Sequence, residues 1–203
     1  MKKTITFVVI STIFLAHVVS QGFEITAFTG YSFNSNMNTY YGKYNVDDSP
    51  NYGFLLGVSP QQDIFVEFMY NRTDTRMDYY YLGTAEPIDM LSEYYHIGGL
   101  RQMGTGNIKP FGAVSLGATR FHLKQTTGDL QQSTQWAMSL ALGGGAKILI
   151  GERLGVRLQA RLGMPMQFSG LWLGAGTGGA SAGAGFRIPI VQFDLSAGLI
   201  LRI

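Results

Sequence analysis

The stretch VQFDLSAGLILRI, residues 191–203, decides how the rest of the chain reads. Taken alternately, one face is Val191, Phe193, Leu195, Ala197, Leu199, Leu201 and Ile203. The other is Gln192, Asp194, Ser196, Gly198, Ile200 and Arg202. Successive side chains of an extended chain point to opposite faces, so strict alternation of this length is a strand; a helix would space its apolar residues three and four apart. Residues 155–164 repeat the pattern, with Val156, Leu158, Ala160, Leu162 and Met164 against Arg157, Gln159, Arg161 and Gly163. Six further segments alternate less purely: 23–33, 52–59, 64–71, 93–103, 110–123 and 136–150. The poorest is 93–103, which carries apolar residues on both faces. Eight strands are expected, and no helix.

The connections sort into two kinds. Those after the second, fourth and sixth strands are short, at 60–62, 104–108 and 151–153. Those after the first, third, fifth and seventh are long, at 34–51, 72–92, 124–135 and 165–189. A soluble sandwich has no reason to alternate its loops in this way. A barrel crossing an outer membrane does, with short periplasmic turns and long outer loops. The expected fold is therefore an all-β, eight-stranded, antiparallel up-and-down transmembrane β-barrel.

The start of the chain fits that destination. Met1-Lys2-Lys3 is followed by an uncharged, mostly apolar stretch to Ala16, and Val18-Val19-Ser20 offers a cleavage site before Gln21. This is the order of a secretory signal peptide. Residues 1–20 are expected to be removed and 21–203 to form the barrel domain. Beyond residue 20 no apolar run is long enough for a membrane helix.

Composition excludes several classes. Apolar residues are 46% of the 203 and charged residues 14%, too apolar for a disordered chain. The formal net charge of +2 suggests no nucleic-acid partner. With no cysteine, disulfides, thiol catalysis and Cys-type zinc sites are excluded together. No cofactor is expected.

The two faces differ in what they must bury. On the second face small residues recur, among them Gly30, Gly53, Gly57, Ser115, Gly117, Ser139, Gly143, Gly145, Gly163 and Gly198. An eight-stranded barrel is only wide enough inside for side chains to fill. Small residues there make room for Glu24, Glu67, Lys147, Arg157, Arg161, Asp194 and Arg202, an expected lumen charge network. Turning these arginines to lipid would cost about 2–4 kcal/mol each near the midplane.

Residues 23–33 form an opening strand, Gly99-Leu100-Arg101 precedes a turn, and Lys109-Pro110-Phe111-Gly112-Ala113 follows it. With the closing Ser196-Ala197-Gly198-Leu199, these segments resemble the small eight-stranded bacterial outer-membrane β-barrel family. The resemblance covers nearly the whole chain after residue 20. It implies a barrel in the bacterial outer membrane and a functionally diverse set of relatives. That family often closes on an aromatic residue, whereas this chain closes on Ile203.

Other candidate groups carry weaker chemistry. His96, with Glu93 nearby in sequence, and His122 lack the spacing of a base held against a nucleophile, so structural or surface roles are expected. All eleven tyrosines precede residue 96. Tyr31, Tyr52, Tyr70, Tyr94 and Tyr95 are expected in an interfacial girdle. Tyr40, Tyr41, Tyr44, Tyr79, Tyr80 and Tyr81 fall in the first two outer loops or in extensions of their strands, where tyrosine supplies contact area at low entropic cost and suits recognition. The competing reading is that these hairpins extend beyond the membrane and pack on themselves. Asp47, Asp48, Asp74, Asp78, Glu86 and Asp89 lack calcium-loop spacing and read as solvated loop residues, so no metal site is expected. Residues 170–185, with seven glycines and no charge, read as a flexible outer loop dipping toward the outer leaflet.

These readings favour a non-enzymatic outer-membrane barrel with a structural, adhesive or accessory-subunit role exercised through its outer loops. Its expected partners are outer-membrane lipid and another envelope protein met by those loops. The alternatives are a barrel enzyme acting on envelope lipid, a narrow pore, and a secreted ligand-binding barrel. The last would need polar residues where this wall has Val, Leu and Ile.

Overall fold

A computed structural model describes residues 22–35, 37–39, 42–81, 84–124, 133–176, 179–187 and 191–203, without the side chains of 37–45, 77–87, 124, 133 and 167–187. Eleven strands follow one another: β1 (Phe23–Asn34), β2 (Met37–Thr39), β3 (Gly42–Val46), β4 (Ser49–Gln61), β5 (Ile64–Tyr81), β6 (Thr84–Gln102), β7 (Ile108–Lys124), β8 (Ser133–Ile150), β9 (Leu154–Gly176), β10 (Gly179–Arg187) and β11 (Gln192–Arg202). Eight of them, β1, β4, β5, β6, β7, β8, β9 and β11, pair antiparallel with their neighbours in chain order. The ring closes where β1 pairs with β11, with Ile25 opposite Leu201 and Tyr31 opposite Leu195. Closure leaves no edge among these strands, so their backbone donors and acceptors are satisfied inside a bilayer.

Three tight turns sit at the end where the chain begins and finishes. Each contains a residue in the left-handed region: Asp63 at φ 64°, Gly104 at 84° and Gly151 at 76°. Two of the three are glycine, which adopts that conformation without a steric cost. The Asp63 side chain adds a clasp, accepting from Lys109 Nζ at 3.3 Å across to the next turn. These are the short connections expected from the sequence.

The long connections are a different matter. Residues 72–81 and 84–92 form a ladder, because β5 and β6 stay in register from Ile64 opposite Arg101 out to Tyr81 opposite Thr84. Residues 165–189 are mostly strand as well: β9 runs on to Gly176 and pairs with β10, Gly179 opposite Gly176. The flexible loop expected over 170–185 is thus a paired hairpin outside two residues, 177 and 178, that lie beyond the described set. Its many small residues permit close pairing but leave no alternating polarity to read. In the first connection, β2 and β3 form a small hairpin, and β3 extends the barrel wall against β5.

Outside, the wall presents Ile97, Val114, Leu116, Leu142, Leu158, Leu195 and Leu199, all large, apolar and exposed. A chain of ring contacts runs above them on one side: Phe54 with Tyr70, Tyr70 with Tyr95, and Tyr95 with Trp136, at centroid separations of 5.2–6.0 Å. That is the aromatic belt of a membrane interface. Tyr94 departs from the expected girdle. It faces the lumen, 3% exposed, because β6 places Ser92, Tyr94, His96, Gly98 and Leu100 inward and Tyr95 and Ile97 outward. Apolar fillers on both faces made this strand hard to read.

Candidate functional site

The lumen holds the densest chemistry among the described residues. Near the periplasmic end, Phe65, Leu100 and Phe111 pack together as an apolar floor. Two cations rest on its rings: Lys147 Nζ lies 4.0 Å from the centre of Phe65, and the Arg157 guanidinium 4.5 Å from that of Phe111. Lys147 is 0% exposed and donates to Glu24 Oε2 at 2.5 Å, with Glu67 Oε1 at 3.6 Å on its other side. Arg157 grips Glu67 with both terminal nitrogens, at 2.6 and 2.9 Å, and its Nε donates to Gln159 Oε1 at 2.8 Å. Arg202, at the rim and partly exposed, reaches Glu24 Oε1 at 3.2 Å. A continuous ladder, Arg202–Glu24–Lys147–Glu67–Arg157, therefore joins five strands, β11, β1, β8, β5 and β9, across the barrel.

A second cluster lies further toward the outer end. Arg161 Nε donates to Asp194 Oδ2 at 3.1 Å, its Nη2 donates to the same oxygen, and its Nη1 meets the Met69 sulfur. The other oxygen of Asp194 accepts from Ser32 Oγ and Gln192 Nε2, both at 2.7 Å. Tyr94 Oη donates to Gln192 Oε1 at 2.8 Å, and Asn51 Nδ2 to Ser32 Oγ at 2.6 Å. All seven residues expected in the lumen charge network are thus brought to the interior or its rim. Three buried carboxylates (Glu24, Glu67, Asp194) meet three buried cations (Lys147, Arg157, Arg161). Balance of this kind is what a low-dielectric interior demands, since an unpaired buried charge is far costlier than a pair.

His96 is the third element. It is fully buried, with Nε2 2.6 Å from Ser139 Oγ and Nδ1 3.1 Å from Ser115 Oγ, while Thr119 Oγ1 donates to Ser139 Oγ at 2.8 Å. Room for the ring comes from Gly117, where a Cβ would strike the Tyr95 carbonyl and come within 2.6 Å of His96 Cδ2. Glu93, its neighbour in sequence, lies on the opposite face of β6 and cannot orient the ring. The site is a hydrogen-bonded filler with hydroxyls on both sides. His122 sits apart on the outer surface, its Nδ1 2.9 Å from Thr134 Oγ1.

At the outer rim, sequence reasoning missed a charged row on the outside of the wall. Arg72, Glu93 and Arg120 stand opposite one another on β5, β6 and β7. Glu93 is buried although it faces outward, because Tyr70 Oη donates to it at 2.8 Å and Arg120 Nη1 at 3.1 Å. Arg72 pairs with Asp74 at 3.0 Å and Arg76 with Asp89 at 3.6 Å. Parity counting along each strand would have placed all of them. The acidic residues expected to be solvated are partly occupied in this way, and Asp48 Oδ1 accepts from the Asn34 amide at 2.8 Å. Among the described residues no group of three or more could hold a metal ion. Of the loop tyrosines, Tyr44 and Tyr79 are register partners and Tyr80 stands opposite Lys43. Tyr81 ends β5, and Tyr40 and Tyr41 lie outside the described residues, as do residues 1–20.

A closed wall of eight strands, apolar outside and ion-paired inside, defines an integral outer-membrane β-barrel. Solved structures share this fold. Neisserial surface protein A matches with a TM-score of 0.62 and 14% identity, over 88% of this chain and 96% of that one. The outer membrane protein OprG from Pseudomonas aeruginosa also gives 0.62, with 13% identity, over 90% and 96%. The attachment invasion locus protein Ail of Yersinia pestis gives 0.50, with 14% identity, over 89% and 98%. No protein-family model and no curated sequence matches the chain.

Proposed function

We propose that the protein is a non-enzymatic outer-membrane barrel whose lumen is a structural core and whose outer hairpins carry its interactions, in a structural, adhesive or accessory-subunit role. The observation that carries this is the filling of the lumen. Lys147, Arg157 and Arg161 are buried among their carboxylates, and the void beside the two arginines measures only about 30 Å³, whereas the cavity of about 720 Å³ lies at the periplasmic mouth, against Glu24, Phe65 and Arg202. A pore or a lumenal substrate site would need that space. The wall itself is explained by lipid contact, which leaves the outer end as the place for recognition. There β5 and β6 rise as a paired hairpin flanked by β3, a rigid support for Tyr44, Tyr79, Tyr80 and Tyr81. Binding groups held on a rigid scaffold are the usual arrangement. The names of two barrels with this fold, a surface protein and an attachment protein, are in keeping with a role at the outer face.

The test removes the hairpin tips and keeps the barrel. Replacing 37–45 or 78–87 by a short Gly/Ser turn spares the backbone bond from Asp47 N to Arg76 O, 2.8 Å, that ties the first connection to β5. Each variant is expected to assemble, read by heat-modifiable gel mobility, and to lose envelope partners in quantitative pulldown from outer membranes. Retention of every partner by both variants would move the interface to the lipid-facing wall or the periplasmic turns.

A further inference from the structure

Among the described residues, two buried asparagines in the lumen carry side-chain atoms without a hydrogen-bond partner. Asn71 is 0% exposed, and neither its Oδ1 nor its Nδ2 has a hydrogen-bond partner. Asn51, 1% exposed, donates through Nδ2 to Ser32, but its Oδ1 also has no partner. Both face inward on adjacent strands. Asn51 is opposite Thr73 and Gly53 opposite Asn71, so the two amides are diagonal neighbours, with backbones on the order of 7–8 Å apart. Among the described side chains nearby, Ser32 accepts from Asn51 and Gln192, and Asp194 accepts from Ser32, Gln192 and Arg161.

We infer that the lumen holds ordered water at this point, bound to Asn71 and shared with the carbonyl oxygen of Asn51. The chemistry of the three atoms selects the ligand. Two are acceptors and one is a donor, so the occupant must both give and take hydrogen bonds. A cation would meet the Asn71 N–H and lie near Arg161; an anion would meet two carbonyl oxygens and lie near Asp194. Water satisfies all three atoms at once, and buried waters are typically found making about three such bonds.

A second observation comes from one level deeper. The void of about 30 Å³ touches Ser115, Glu67, Gln159, Arg157 and Arg161, with Met69 among its walls. Most of its wall is apolar, Leu55, Ala113 and Ala141 among it, but it has room for a water and the charged groups on its polar side can bind one. Met69 lies two residues before Asn71 on the same face of β5, so its side chain stands between the two levels. Toward the periplasm, the Phe65–Leu100–Phe111 floor closes the lumen. The interior thus divides into a hydrated outer part and a dry floor.

Water-edited magic-angle-spinning NMR on the full barrel in lipid bilayers tests this without any mutation. Magnetisation from water is expected to reach the Asn71 side-chain amide several-fold faster than the backbone amide of Leu100 in the floor. Equal build-up at the two positions would overturn the inference. An Asn71→Leu variant then locates the molecule: transfer to the Asn51 side chain is expected to fall at least threefold. Unchanged transfer at Asn51 in a folded Asn71→Leu barrel would overturn the shared site.

Discussion

The Glu67–Arg157 pair offers the sharpest measurement of how the lumen is held together. Arg157 binds both oxygens of Glu67, at 2.6 and 2.9 Å, and is 3% exposed. Replacing it with Met leaves a buried carboxylate that has lost its main counter-charge. Breaking a buried pair from one side costs about 3–5 kcal/mol. Lys147 remains 3.6 Å from Glu67 and offsets part of this, so we expect a loss near the lower end, about 3 kcal/mol, for Arg157→Met. Glu67→Gln keeps the shape but leaves three buried cations facing two carboxylates, and about 3 kcal/mol is expected here too. The double variant restores the balance. It should lose clearly less than the sum, with a coupling of about 2–3 kcal/mol, the upper part of the range seen for residues in direct contact. Urea titration in lipid vesicles, followed by tryptophan emission, reads all four corners of the cycle; Trp136 lies exposed on the membrane-facing wall and reports its loss. Additivity within about 0.5 kcal/mol, the behaviour of independent sites, would show that these charges are separately solvated and that the lumen is not a closed ionic core.

Four further outcomes follow from the same geometry. The chain should fractionate with the outer membrane and show heat-modifiable gel mobility; recovery as a soluble monomer without detergent would contradict the orientation of the wall. Gly117→Ala should reduce folded yield and cost about 1–3 kcal/mol by overpacking, because its Cβ meets the Tyr95 carbonyl and the His96 ring. Gly99→Ala, with nothing within 4 Å, should be neutral in the same band-shift assay. Tyr94→Phe should cost about 1–3 kcal/mol in urea titration by leaving Gln192 Oε1 without its donor, and an unchanged midpoint would argue against the buried Tyr94–Gln192 contact.

Much of this molecule is local in origin and so was visible in its sequence. The face a strand residue takes depends only on parity along its own strand. Residues 191–203 and 155–164 therefore assigned Asp194, Arg157 and Arg161 to the interior without knowledge of any neighbour. Alternating short and long connections gave the up-and-down order for the same reason. Pairing is not local. Lys147 meets Glu24 across 123 residues and Arg157 meets Glu67 across 90. Which charges stand level depends on the stagger of the closed ring, which exists only once all eight strands have joined. The sequence left the outer hairpins of the first two long connections as an alternative and read 170–185 as a loop because, beyond the bilayer, neither face must be apolar: β5 past Arg72 and β9 past Met166 pair through their backbones, which leave no trace in side-chain polarity. Tyr94 and Tyr95 show the same limit at one step of resolution. Two adjacent tyrosines suit a girdle or a lumen equally well by composition, and the ladder of β6 between β5 and β7 sends one to Gln192 inside the barrel and the other to Trp136 at the membrane surface.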